Sequence, residues 1–136
     1  MSRVFAGGCA CRALRYEIRA EPIVMNDCQC RDCQQESGTG HGSHLLFPRG
    51  EARIDGVATH WTLVGRQGMV KQRAFCPTCG SPVYMTFPAM PDLIGVRAGS
   101  LDDPGLYVPQ MVIWTAAAQP WDHVDPALPS FPGMPD

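Results

Sequence analysis

The chain of 136 residues is long enough to bury the core of one domain, and its 45% hydrophobic and 18% charged residues are typical of a globular protein. A formal net charge of -2 offers no basic surface for nucleic acid, and no segment approaches the ~18 apolar residues of a membrane-spanning helix. The first residues also lack the apolar stretch of a signal peptide. We therefore expect a cytoplasmic domain that binds neither nucleic acid nor membrane.

Short strands joined by tight turns are predicted throughout, because thirteen prolines and fourteen glycines interrupt the chain. Residues 14–18 alternate between apolar and charged side chains, which indicates a half-buried strand. One short helical turn is predicted over residues 30–37, closed by Gly38. Further strands are predicted in chain order at 59–64, 69–75, 83–87, 94–98 and 108–114. Pro109 in the last of them favours a strand at a sheet edge.

These elements predict a single all-β domain over residues 1–136. From about residue 120 the chain contains five prolines, so we expect an extended tail that wraps the surface. Three apolar residues are expected to anchor this tail: Trp121, Leu128 and Phe131. Arg66, Lys71 and Arg73 are expected to lie on a solvated face of a strand.

All seven cysteines fall into three clusters: Cys9 and Cys11; Cys28, Cys30 and Cys33; Cys76 and Cys79. In a cytoplasmic protein such clusters are metal ligands more often than disulfides. Four cysteines close a tetrahedral zinc site, whereas three leave one coordination position for water or substrate. Because seven divides into four and three, the count suggests one structural and one reactive zinc.

The Cys76-Pro-Thr-Cys79-Gly80 segment is expected to form a turn between two strands, with both sulfurs directed at one metal. Two more ligands must come from Cys9 and Cys11 or from two of the middle three cysteines. Cys9 and Cys11 are favoured, because the other choice would leave one middle thiolate beside a filled site. The metal would then join the start of the chain to a turn about 65 residues later.

Cys28, Cys30 and Cys33 then share a second zinc, whose fourth position is taken by water or by His41, His44 or Glu36. A zinc with three thiolates and a water can exchange that water for an incoming thiolate, which suits the activation of a small thiol. A closed second site with a histidine is the alternative. His41 and His44 lie near three glycines, in an expected loop, and are candidates for proton transfer.

Three segments of this chain resemble the glutathione-dependent formaldehyde-activating enzyme family, which includes centromere protein V. The segments are Gly8-Cys-Ala-Cys, Cys28-Gln-Cys-Arg-Asp-Cys-Gln-Gln-Glu-Ser-Gly and Phe75-Cys-Pro-Thr-Cys-Gly-Ser. The resemblance implies a β-tent fold of antiparallel sheets that holds two zinc ions. It implies a structural zinc on Cys9, Cys11, Cys76 and Cys79. It implies a catalytic zinc on Cys28, Cys30 and Cys33.

The activity implied by the resemblance is the addition of glutathione, as co-substrate, to formaldehyde, which gives S-hydroxymethylglutathione. Such enzymes are classed as carbon–sulfur lyases. The chain departs from the family at Gln29, where a histidine is usual, and at Arg12, where a glycine is usual. Gln29 removes a proton-transfer group expected near the metal. A non-catalytic binding module with two structural zincs is the alternative function.

Overall fold

The structure of this chain, a computed structural model, describes residues 3–135, apart from the side chain of Arg66. Within that range it contains ten strands and one α-helix, and the all-β prediction is confirmed. The strands are β1 Phe5–Gly8, β2 Arg15–Ile18, β3 Val24–Cys28, β4 Gly42–Pro48, β5 Ala52–Asp55, β6 Thr59–Val64, β7 Val70–Phe75, β8 Pro82–Thr86, β9 Leu93–Arg97 and β10 Met111–Ile113. The helix α1 is Arg31–Ser37 and has seven residues. None of the described helices is long and apolar enough to span a membrane.

The strands form two sheets. The smaller sheet has the order β1-β2-β5, and the larger one has the order β10-β3-β4-β9-β8-β7-β6. All strand pairs are antiparallel except β10 with β3. Side chains from both sheets form one buried cluster, in which these residues are fully excluded from solvent: Phe5, Leu14, Ile18, Leu45, Phe47, Val83, Ile94 and Val96. Burial of each such side chain contributes about 1.5–3 kcal/mol, which makes this cluster the main source of stability.

The strands and the helix that the sequence predicts are all present, with ends that differ by at most three residues. Helix α1 ends as expected, because Gly38 adopts a left-handed backbone conformation with φ 76°. Strand β10 has only three residues and forms the sheet edge that Pro109 indicates. Four strands, β1, β3, β4 and β5, are absent from the prediction. The last two residues of β3 before Cys28 are Asn26 and Asp27, which hide the pattern of a buried strand.

The outer face of the larger sheet carries polar side chains beneath helix α1. Strand registers place Asn26, His44 and Arg97 in one row across β3, β4 and β9. A parallel row runs through Val24, Leu46, Gly95, Met85 and Arg73. This face therefore differs from the apolar inner face of the same sheet, and it forms the floor of the site described below.

Past residue 120 the described chain has neither strand nor helix. Phe131 donates its backbone N–H to Val112 at 3.0 Å and packs against the middle cysteines. The expectation that Trp121 anchors the tail is wrong, because this side chain is 59% exposed. Asp122 makes the contact instead, and it lies so close to Gly40 that a Cβ there would be 2.2 Å from the Asp122 Cγ.

Candidate metal centres

The first candidate metal centre joins the two sheets. Its four sulfur atoms, from Cys9, Cys11, Cys76 and Cys79, all lie within 4.8 Å of one another. Cys9 and Cys11 directly follow β1 in the smaller sheet, whereas Cys76 and Cys79 form the turn between β7 and β8 in the larger one. The Sγ atoms of Cys11 and Cys76 are 3.7 Å apart although 65 residues separate them in the chain. A metal bound here would hold one sheet to the other.

Hydrogen-bond donors contact three of these four sulfurs. The backbone N–H of Leu14 donates to Cys9 Sγ at 3.2 Å, and that of Thr78 donates to Cys76 Sγ at 3.4 Å. Ser81 lies 3.2 Å from Cys79 Sγ, and its hydrogen bonds lower the pKa of Cys79 to about 5. Because the thiolate is the form that binds metal, these donors favour the ligand state. Four such sulfurs fit the closed tetrahedral coordination of a structural zinc.

The second candidate centre is the group of Cys28, Cys30 and Cys33, whose sulfurs also lie within 4.8 Å of one another. Cys28 is the last residue of β3, Cys30 precedes helix α1 and Cys33 lies in its first turn. The Sγ of Cys30 accepts the backbone N–H of Cys33 at 3.4 Å and thereby caps the helix. The strand end and the helix start together direct three buried sulfurs to one point.

The three middle cysteines cannot all ionise at this spacing without a cation. Hydrogen bonds from Cys28 and Cys33 lower the pKa of Cys30, whereas the same contacts with Cys30 and Cys33 raise the pKa of Cys28. Like charges this close disfavour one another unless a positive charge lies between them. The donor set therefore fits a divalent metal ion that prefers sulfur ligands, as zinc does.

Arg73 contacts this centre, which corrects the expectation of a solvated strand face. Its side chain is fully buried, and its Nη2 lies 3.6 Å from Cys33 Sγ. Its Nη1 donates to the backbone carbonyl of Asp32 at 3.1 Å. Lys71 is half-buried and lines the cavity described below, and the side chain of Arg66 lies outside the described residues. Two of the three basic residues thus belong to the site.

Glu36 and Arg97 complete the charged surroundings of the middle cysteines. Arg97 forms an ion pair with Glu36, whose Oε1 is also 3.6 Å from Arg73 Nη1. Three thiolates and Glu36 carry four negative charges against the two positive charges of the arginines. A divalent cation would neutralise the remainder, which again fits a metal at this position.

None of the three residues expected as a fourth ligand lies free beside the sulfurs. Glu36 is paired with Arg97, and His41 Nδ1 lies 2.9 Å from both carboxylate oxygens of Asp122. His44 is on strand β4 and not on a loop as expected, and its Nε2 lies 3.9 Å from Cys33 Sγ in contact with Arg97. Burial and the nearby Arg73 and Lys71 lower the pKa of His44 to about 3, so this imidazole is neutral near pH 7.

A cavity of about 280 Å³ adjoins Cys28 and Cys30 on the outer face of the larger sheet. Its walls are mainly apolar: Val24, Leu46, Met69, Met85, Phe87, Met90, Leu93, Ile113, Trp114 and Met134. Besides the two cysteines, the polar residues that line it are Asn26, Asp32, His44, Gln67 and Lys71. The Oδ1 atom of Asn26 is buried and has no hydrogen-bond partner among the described residues. This cavity provides space for a ligand directly beside two of the three cysteines.

Sequence reasoning missed the cavity residues because they come from strands distant in the chain. For β3 the sequence does give an indication, because alternate residues of a strand lie on the same face. Asn26 and Val24 therefore lie on the same face as Cys28. Arg97 has no such signal, because its contact with Glu36 depends on how β9 packs under α1.

The chain is similar to known proteins in sequence and in fold. The family model described as glutathione-dependent formaldehyde-activating enzyme matches residues 4–117. The chain belongs to this family. A relative from Halomonas elongata, named "Putative glutathione-dependent formaldehyde-activating enzyme", is 26% identical over 101 residues, and the match covers 71% of this chain and 64% of that protein. The chain thus matches less than two thirds of the length of this relative.

A crystal structure of a Rhodobacter sphaeroides protein has the same fold. It superposes with a TM-score of 0.58 at 18% identity, over 93% of this chain and 98% of that one. The likeness shows that the two-sheet arrangement exists in an experimentally determined structure. The family's name specifies glutathione and formaldehyde as its small molecules.

Proposed function

We propose that this protein is a zinc-dependent enzyme of the carbon–sulfur lyase type, which adds a small thiol such as glutathione to formaldehyde or a related aldehyde. With glutathione and formaldehyde the product is S-hydroxymethylglutathione. The observation that carries the proposal is the group of Cys28, Cys30 and Cys33, which has three sulfurs and borders a cavity. The other group has four sulfurs, enough to close a metal site without a substrate.

The two centres are assigned different roles. Cys9, Cys11, Cys76 and Cys79 hold a structural zinc, and Cys28, Cys30 and Cys33 hold a catalytic zinc. A zinc ion with three thiolate ligands supplies Lewis acidity, which favours the thiolate form of a thiol that joins it. We also assign the two sheets to the β-tent fold, and the reduced thiols to a cytoplasmic location.

The residues around the cavity have separate tasks in this reaction. Lys71 provides a positive charge at the cavity wall for an incoming thiolate. Arg73 keeps its N–H contact with Cys33 and so stabilises the negative charge of the ligands. The thiol releases its proton to water as it becomes a thiolate, and the thiolate sulfur bonds to the carbonyl carbon. The carbonyl π electron pair moves to oxygen, which takes a proton from water. The Oδ1 of Asn26 then accepts a hydrogen bond from the new hydroxyl.

One observation favours the alternative of a non-catalytic binding module with two structural zincs. The Nε2 of His44 is 3.9 Å from Cys33 Sγ, so a modest movement would bring this histidine to the fourth position. Its contact with Arg97 opposes that movement in the present structure.

The test compares Cys30→Ser with Cys79→Ser. We expect Cys30→Ser to lower the catalysed rate of glutathione addition to formaldehyde at least tenfold, measured by exchange NMR above the spontaneous reaction. Its melting temperature should stay near that of the wild type. Cys79→Ser should lower the melting temperature by many degrees, since each 1 kcal/mol corresponds to roughly 3–5 °C in a domain of this size.

A second measurement compares the metal content of the two centres after mild chelation. The three-cysteine centre should lose its metal first, with the fold intact by circular dichroism. Equal losses of stability in the two variants, together with no catalysis by the wild type, would show that both centres are structural.

A further inference from the structure

We propose that the cavity beside Cys28 and Cys30 binds the apolar chain of an aldehyde with about six carbons. This inference rests on the proposed function and specifies its substrate class. The aldehyde carbon lies at the cysteine end of the cavity, and its chain extends along the methionine-rich wall. The enzyme would thus act on aldehydes much larger than formaldehyde.

The size of the cavity supports a larger substrate. Its volume is about 280 Å³, and one water molecule occupies ~30 Å³ of liquid, so the cavity has room for roughly nine atoms of that size. Formaldehyde has only two non-hydrogen atoms and would leave most of this space empty. Hexanal, with seven non-hydrogen atoms, fills it without overpacking.

The chemistry of the walls favours an uncharged alkyl chain. Four methionines line the cavity: Met69, Met85, Met90 and Met134. Their flexible, polarizable side chains adapt to varied apolar shapes. Glutathione carries two carboxylates and an ammonium group, which would lose their hydration against such walls. Its charged groups therefore remain outside, and only its sulfur reaches the cysteines.

The side chain of Asn26 is placed to contact the adduct of the thiol and the aldehyde, and not the alkyl chain of the aldehyde. Asn26 lies on the same face of β3 as Cys28, two residues before it, and its buried Oδ1 lacks a hydrogen-bond partner among the described residues. The adduct of a thiol and an aldehyde has one hydroxyl, on the carbon bonded to sulfur. That hydroxyl can donate to Asn26 while the sulfur stays near Cys28. The apolar chain then extends toward Met85 and Leu93.

The first experiment measures kcat/KM for acetaldehyde, butanal and hexanal with glutathione. The three carbonyl groups have similar reactivity, so differences report binding of the chain. Each buried methylene contributes up to about fourfold. We expect at least a tenfold rise from acetaldehyde to hexanal, and a flat series would overturn the proposal.

Variants test whether the cavity causes this rise. Val24→Phe fills the cavity from β3, whereas Val57→Phe makes the same change at a site that is 76% exposed and outside the cavity. In Val24→Phe, kcat/KM for hexanal should be within twofold of kcat/KM for acetaldehyde. Val57→Phe should keep the wild-type ratio of these two values. Met90→Trp fills the cavity from another wall and replaces Val24→Phe if that variant does not fold.

Binding of hexan-1-ol tests whether the cavity takes an alkyl chain, independently of whether the protein is an enzyme. The alcohol has the chain and the hydroxyl but cannot react, and its binding to the metal-loaded protein is measured by NMR titration. Binding that is lost in the Val24→Phe variant supports the cavity assignment, even if no aldehyde is turned over and the proposed function fails. No binding, or equal binding to both valine variants, would overturn it.

Discussion

Arg12 has a left-handed backbone conformation, with φ 69°, directly after the first cysteine pair. Its N–H donates to the carbonyl of Cys9 at 3.1 Å, so the conformation closes the turn that brings Cys9 and Cys11 together. A residue with a Cβ is strained there by about 1–2 kcal/mol, whereas glycine is not. A glycine at this position would therefore relieve the strain.

We expect Arg12→Gly to raise the free energy of unfolding by about 0.5–1 kcal/mol, since relief of strain exceeds the entropy that glycine adds to the unfolded chain. Urea denaturation of the metal-loaded protein measures this change. Arg12→Ala is the control, because alanine keeps the Cβ and should bring no such gain. An equal gain in both variants would assign the effect to the loss of the arginine charge.

Gln29 joins the start of helix α1 to the tail. Its side chain is buried and donates to Asp122 Oδ2 at 3.0 Å, on the carboxylate that also binds His41. Position 29 thus directs its side chain to the tail. Gln29 therefore helps to hold Asp122, through a contact between residues that are 93 positions apart in the sequence.

At the scale of elements, helix α1 is tied to the larger sheet by one carboxylate. Glu36 pairs with Arg97 of β9 and lies near Arg73 of β7, and all three side chains are almost completely buried. Burial lowers the pKa of Arg97 because it removes water from the guanidinium, and the ion pair with Glu36 offsets part of that lost hydration. The pair thus helps to position the helix that carries Cys33.

We expect Glu36→Gln to lower the free energy of unfolding by about 2–4 kcal/mol, because it leaves buried arginine charge without a partner. Glu21→Gln is the matched control, since Glu21 pairs with Arg3 at the surface, where both side chains are about half exposed. That change should cost less than about 0.5–1 kcal/mol. Urea denaturation compares the two, and similar losses would mean that the buried pair has no special role.

The strands that could be predicted are those whose own residues alternate or are rich in apolar, β-branched and aromatic side chains. Strand β2 alternates cleanly, because its outer side chains face solvent. Strands β3 and β4 were missed because their outer side chains, such as Asn26 and His44, face the site. The cysteines were identified by residue type and spacing, whereas Arg73 and Arg97 act through neighbours that are distant in the sequence.

At the scale of the whole molecule, Tyr16 connects the two sheets. It lies on β2, and its hydroxyl is 2.7 Å from the Oγ of Ser100, in the turn that follows β9. Gly7 permits this approach, since a Cβ there would lie 2.5 Å from the tyrosine hydroxyl. Burial raises the pKa of Tyr16 from 10 to about 12. Because the raised pKa favours the neutral form, the stability that Tyr16 contributes is complete below pH 10.

We therefore expect the wild type to lose about 2–3 kcal/mol of stability between pH 10 and 12 in excess of the loss in Tyr16→Phe. The phenylalanine variant cannot ionise at this position, so its curve should be flatter. Urea denaturation at several pH values measures the difference between the two proteins. A difference that stays constant over this range would show that Tyr16 does not titrate with unfolding.

The spacing of the two cysteine groups also determines when each can meet a metal during folding. Cys28 and Cys33 are separated by only a few residues, so a chain that is still unfolded can gather them, whereas 65 residues separate Cys11 from Cys76. Closing the longer loop costs about 2 kcal/mol more in chain entropy. The four-cysteine centre is therefore complete only after the two sheets have come together, and its metal would enter last.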